Sequence, residues 1–217
     1  MTHAISHPVS TSHGDRTLAF GAVVIIAAWF VVAVLAGRAE VFEQGFDRPP
    51  LTVLAAFAGP PVLFAIFYWL SPRIRAFALG LDLRLLTAVQ AWRVLGLVFL
   101  ALYSYGLLPG AFAWPAGVGD GLVGVATIFA LAGMLHGTPN WQRRVFWLNI
   151  AGIVDFVGAG VTGVLTSNSA IGVLRDASAG ASMGLLPLSL IPTFAVPLWI
   201  IAHIISLLQL QQLARNS

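Results

Sequence analysis

The chain has 217 residues, of which 59% are apolar and only 9% charged, with a formal net charge of +3. An ordinary soluble domain carries about 25% charged residues; a single soluble core could not hide so much apolar surface, whereas a lipid-solvated bundle can. Cysteine and lysine are both missing, which excludes disulfides, thiolate nucleophiles, cysteine-ligated metal clusters, Schiff-base chemistry and the P-loop lysine.

Met1 to Arg16 is polar and carries His3, His7 and His13. It reads as a solvated tail, and residues 1–17 are taken as disordered and cytoplasmic. Met1-Thr2-His3 with a free amine is a possible square-planar copper or nickel chelate; a plain solvated tail is the simpler reading. Leu18 to Ala36 runs without a charge, long enough to cross about 30 Å of hydrocarbon. It exceeds the signal-peptide core of roughly 7–15 residues, so a retained helix is expected over a cleaved leader.

Further spans are expected at Leu51–Leu70, Leu86–Leu108, Val118–Leu135, Val145–Leu165 and Pro187–Leu208. The fold class is therefore all-α: a polytopic bundle of about six transmembrane helices over residues 18–210, with 211–217 as a C-terminal tail. None of the connections is long enough for a folded domain, so any activity lies in the membrane or at its surface. Arginines 16, 73, 75, 84, 143, 144 and 215 fall on one side, against 38, 48 and 175 on the other. That asymmetry predicts both termini in the cytoplasm. Tyr68, Trp69, Trp92, Trp141 and Trp147 form an aromatic belt at that level, and Trp114 marks the opposite one. The basic balance is thus topology information, and no nucleic-acid partner is implied.

Phe77, Leu79, Leu81, Leu83 and Leu85 alternate as a strand would, but an open strand at membrane depth leaves its backbone unsatisfied. Asp82 is instead expected to N-cap the third span.

Two stretches match the dinucleotide pattern GxGxxG, at Gly119-Asp120-Gly121-Leu122-Val123-Gly124 and Gly158-Ala159-Gly160-Val161-Thr162-Gly163. Neither follows a strand, and close helix packing by small residues accounts for both. The second span holds Gly59-Pro60-Pro61 and the sixth Pro187, Pro192 and Pro197. These prolines predict kinks and carbonyls free to bind ions or water.

The buried ionisable residues carry the functional signal, because a charge at the bilayer centre costs at least about 2.5–3.5 kcal/mol unless partnered. Arg93 is expected about 10 Å inside the cytoplasmic boundary and Asp155 about 15 Å deep, at 1.5 Å per residue. Asn149 and His203 fall near the level of Arg93, and Asp120 near the outer end of the fourth span. Helical spacing predicts four inward faces: Gln90, Arg93, Leu97, Ala101 and Ser104; Asp120, Gly124 and Thr127; Asn149, Gly152 and Asp155; Trp199, His203 and Ser206.

The functional reading is a polar cavity among the third, fifth and sixth helices. In it Arg93 binds an anionic group or holds Asp155 ionised, and His203 relays a proton. Its ligand or proton pathway comprises Gln90, Arg93, Asn149, Asp155, His203 and Asp120, and its partners are the bilayer and a small polar or anionic solute or proton. The structural alternative is a buried Arg93–Asp155 pair, tied by Gln90 and Asn149, that only fixes helix register; such a chain is a structural or assembly subunit. A membrane enzyme acting on a lipid-borne substrate is the third class. Ser104 and His203 differ in depth, and Ser206 has no evident third partner, so catalytic residues are not assigned. No cofactor or metal is called for. Ala116-Gly117-Val118-Gly119-Asp120 and Ala151-Gly152-Ile153-Val154-Asp155 repeat a motif on antiparallel helices, a faint inverted repeat.

Gln90-Ala91-Trp92-Arg93, Pro115-Ala116-Gly117-Val118-Gly119-Asp120 and Ile191-Pro192-Thr193-Phe194-Ala195-Val196-Pro197-Leu198 with His203 resemble a family of uncharacterised small bacterial multi-pass membrane proteins. The likeness covers roughly the third to sixth helices. It implies a bacterial cytoplasmic membrane and carries no activity with it.

Overall fold

A computed structural model describes residues 13–43, 45, 48–176 and 183–216. Met1-Thr2-His3 and His7 lie outside them. Helix α1 (His13–Arg38) and helix α2 (Leu51–Leu70) are the first two spans. A short helix, α3 (Pro72–Leu79), leads to the third span, Leu83–Ser104, built from α4 (Leu83–Ala88), a 3₁₀ stretch (Val89–Leu97) and α5 (Val98–Ser104). The fourth and fifth spans are α6 (Gly110–Leu135) and α7 (Trp141–Leu165); the sixth is a π-helical turn (Ile191–Ala195) running into α8 (Val196–Asn216). Among the described residues, six helices are long and apolar enough to cross a membrane. The protein is an all-α bundle, without strands among the described residues. Its outer face carries large apolar side chains, Phe20, Ile25, Leu70 and Leu122 among them, as lipid solvation requires.

Residues 77–85 form helix ends, not a strand. Ser71 N-caps α3, accepting from Ile74 N–H at 3.4 Å, and Pro72 follows at its first position. Asp82 N-caps the third span as expected, accepting from Arg84 N–H at 2.7 Å. Arg75 turns back on α2, donating to the carbonyls of Tyr68 (3.3 Å) and Trp69 (3.1 Å) and serving two of the acceptors a helix end leaves open. Buried Gln209 of α8 donates to the carbonyls of Ala78 (3.0 Å), Leu79 (3.4 Å) and Leu81 (2.8 Å), tying the α3–α4 corner to the last helix. Gln209→Leu removes the side-chain donor from these carbonyls, of which Ala78 keeps the Leu81 N–H at 3.4 Å, and is expected to cost about 1–3 kcal/mol, measured as a lower midpoint of thermal unfolding in detergent.

Two expectations need correction. The fourth span starts at Gly110, eight residues before the expected Val118, so Trp114-Pro115 is helical. Pro115 removes one backbone donor, and that loss does not stop the helix, whose N-cap is Pro109. The predicted face on the third span also fails beyond Arg93, since Leu97, Ala101 and Ser104 are exposed. A 3₁₀ helix repeats every three residues, so the inward row is Thr87, Gln90, Arg93, Gly96 and Phe99.

The kinked sixth span docks α1. Pro197 has no N–H for the carbonyl of Thr193 four residues earlier, and the Trp29 indole donates to that carbonyl at 3.1 Å. Phe194 packs edge-on against both Trp29 and Phe30. The carbonyl expected to be free for an ion is thus occupied by α1.

Candidate functional site

Helices α6 and α7 are joined by five residues and run antiparallel. Counted from the end they share, where α6 begins and α7 finishes, Asp120 and Asp155 each lie ten residues in, about 15 Å deep. The repeated Ala-Gly-x-x-Asp segments therefore deliver two carboxylates to one level. Arg93, near the middle of the third span, meets both. Its Nε donates to Asp120 Oδ1 at 2.8 Å, and its Nη2 pairs with Asp155. Asp120 is consequently near mid-depth and not near the outer end, because α6 starts earlier than its sequence indicates.

The remaining face of the guanidinium is equally occupied. Nη1 donates to the Gly152 carbonyl at 3.2 Å and meets His203 Nε2 at 3.3 Å. Phe156 lies under the guanidinium plane, its ring centroid 3.7 Å from Cζ. An arginine nitrogen only donates, so His203 Nε2 is the acceptor and its Nδ1 carries the hydrogen. That hydrogen goes to Asn149 Oδ1 at 2.7 Å, and Asn149 Nδ2 donates to the Val145 carbonyl at 2.7 Å. A directed chain runs from Arg93 through a neutral His203 and Asn149 to the α7 backbone. Arg93 and His203 are fully buried, while each aspartate side chain keeps 14% of its surface accessible.

Glycines make this approach possible. A Cβ on Gly119 would overlap the Asp155 carboxylate, one on Gly96 the Asp120 carboxylate, and one on Gly152 would lie 2.8 Å from Arg93 Nη1. Gly124 lets α6 contact the backbone of Val94 directly, at 2.6 Å for the same hypothetical atom. In the first GxGxxG stretch Gly121 and Gly124 pack against the 3₁₀ segment, and Gly119 against α7. In the second, Gly160 meets the Phe57 ring at 3.1 Å, while Gly158 faces open space.

Of the six residues expected to form a pathway, the structure brings five into one network: Arg93, Asp120, Asp155, His203 and Asn149. Gln90 stands apart. It is buried one 3₁₀ turn before Arg93, with neither side-chain Oε1 nor Nε2 hydrogen-bonded, and so does not tie the ion pair. Phe156 belongs to the cluster and was not anticipated; an aromatic directly after a mid-span aspartate was the available signal. Gly152, expected on the same face as Asn149 and Asp155, contributes its carbonyl. The hydroxyls of Ser206, Thr127 and Thr193 each donate back to the carbonyl four residues earlier, the usual way a helix satisfies them.

Where a polar cavity was expected among the third, fifth and sixth spans, these five residues bond to one another. A different cavity, about 400 Å³, adjoins them. Of the six pathway residues only Asp120 lines it. It reaches from Asp120 and Phe156 to Pro109, Leu165 and Asn168, a run of about 15 Å along α6 and α7.

The family model for a domain of unknown function (DUF8737) matches residues 50–211. The chain belongs to this family. The DUF8737 match takes in the second to sixth spans, one more than the sequence motifs covered, and contains every residue of the charged network. Searches of curated proteins and of solved structures returned no match.

Proposed function

We propose that this membrane protein binds a small solute in the cavity and moves it, or a proton, by way of the Arg93–Asp120–Asp155 cluster at the cavity foot. The supporting observation is charge balance. Two carboxylates share one guanidinium, and His203 in its hydrogen-bond register is neutral. The cluster then carries one negative charge in excess at membrane depth, an expensive arrangement unless a proton or a positive group arrives to offset it. An anionic solute, which Arg93 alone would favour, is disfavoured by the second carboxylate. Asp120, on the cavity wall, is the residue that meets the incoming group. Asp155, His203 and Asn149 hold Arg93 in place, and Gln90 offers an unused amide one turn away. With both termini cytoplasmic in a bacterial inner membrane, the cavity extends toward the outer loops.

The test is flux into proteoliposomes from a panel of small solutes, with a pH dye sealed inside. Asp120→Asn is expected to fold, by retained monodispersity and unfolding midpoint, and to lower flux at least tenfold. Equal flux in the variant and the parent would refute the role of Asp120.

A second reading has its own observation. Arg93 is completely enclosed and four of its five N–H groups have partners, as in a register-fixing ion pair of a structural or assembly subunit. That reading predicts no flux or binding across the panel and a strong dependence of folding on Asp120.

A further inference from the structure

We infer that the cavity takes a hydrophobic organic monocation, an amine or onium group on an aromatic or aliphatic body, with Glu43 as its first contact and Asp120 as its final one. This rests on the reading of the cavity as a solute site and adds the class of solute.

The wall chemistry points one way. Three acidic residues line the cavity, Glu43, Asp120 and Asp176, and no arginine or histidine of the described residues does. Five phenylalanines, 42, 57, 99, 112 and 156, supply most of the remaining ring surface, and aromatic faces attract cations. The volume lies in the range of small-molecule sites, which are mostly apolar with a few placed polar groups. Acid-lined aromatic walls repel an anion and give a neutral polar solute few partners.

Glu43 supplies an independent observation. Its Oε2 is buried and has no hydrogen-bond partner. A buried carboxylate oxygen left unpaired is costly, and a turn of the Glu43 side chain toward the cavity it lines would let a cation pair with it. Asp120, about 15 Å from the Gly110 end of α6 by helical rise, is already held by Arg93 and marks the deep end. The two carboxylates thus stand at opposite ends of one aromatic passage, a first contact and a final one.

The experiment uses two ions of matched size and opposite charge, tetraphenylphosphonium and tetraphenylborate. Binding is read by equilibrium dialysis against the purified full chain in a neutral detergent, with protein-free micelles subtracted. The phosphonium is expected to bind saturably and the borate not to bind. Glu43→Gln, outside the spans and expected to fold, should weaken phosphonium binding about tenfold; Asp120→Asn should weaken it at least as much. Gly163→Leu, whose Cβ meets the Phe112 ring at an ordinary 3.6 Å, extends into the cavity and should abolish binding.

Equal binding of both ions, or phosphonium binding indifferent to Glu43→Gln, would overturn the cation assignment. If a ligand still binds and Gly163→Leu removes it, the cavity remains a solute site of another class. If neither ion binds and a neutral apolar panel fails too, the solute-binding reading falls with it.

Discussion

Arg93→Leu is expected to abolish the folded protein or lower its stability by about 3–5 kcal/mol, the cost of breaking a buried ion pair from one side. The variant leaves Asp120 and Asp155 facing each other without the guanidinium that pairs with both. It also strips the donor from His203 Nε2 and the Gly152 carbonyl. Each aspartate keeps 14% of its side-chain surface accessible, so the loss belongs toward the lower end of that range. The decisive comparison is the triple variant Arg93→Leu, Asp120→Asn, Asp155→Asn. Removing all three charges together should restore most of the stability, because the penalty comes from uncompensated charge and not from lost packing. Unfolding midpoints in detergent and recovery by size-exclusion chromatography check both. A triple variant as damaged as the single would mean that Arg93 acts mainly through Phe156, His203 and the Gly152 carbonyl.

Gly152→Ala and Gly158→Ala, two identical changes six residues apart on α7, are expected to differ in sign. At Gly152 a Cβ would intrude on the His203 ring and lie 2.8 Å from Arg93 Nη1. Neither neighbour yields easily, since His203 is fixed by Asn149 and Arg93 by two carboxylates. Overpacking of that kind costs about 1–3 kcal/mol. At Gly158 nothing lies within 4 Å, and alanine is better than glycine in a helix interior by up to about 1 kcal/mol. Unfolding midpoints should therefore fall for Gly152→Ala and hold or rise for Gly158→Ala. A lowered midpoint in both would place the effect in the helix itself and not in the cluster.

The network was partly legible from the residues alone. Mid-span charges need partners, and that rule singled out Arg93, Asp120, Asp155 and His203 without any contact information. The repeated Ala-Gly-x-x-Asp segments hinted that Asp120 and Asp155 were equivalent. What misled was periodicity. An α-helical count placed Leu97, Ala101 and Ser104 beside Arg93, whereas the 3₁₀ stretch turns Gly96 and Phe99 inward. Nothing in Val89–Leu97 announces that winding, because both helix types draw on the same apolar residues. The fourth span was also drawn too short, since Gly110 to Gly117 are helical and the donor missing at Pro115 is tolerated inside α6.

Composition and hydropathy by themselves determined the class of this protein. Runs of apolar residues about 20 long are solvated by lipid only as helices, since every backbone group must find its partner within the segment. Asp82 as a cap and the glycine pattern as a packing surface are equally local matters. Only the tertiary structure decided which charges met. Depth depends on where each helix starts, and direction depends on its winding, so a single guanidinium could be assigned two carboxylates only once α6 and α7 were set against the 3₁₀ segment. The cavity is likewise tertiary. Its aromatic walls come from loops and helices far apart in the chain, and the burial of the Glu43 oxygen depends on that same packing.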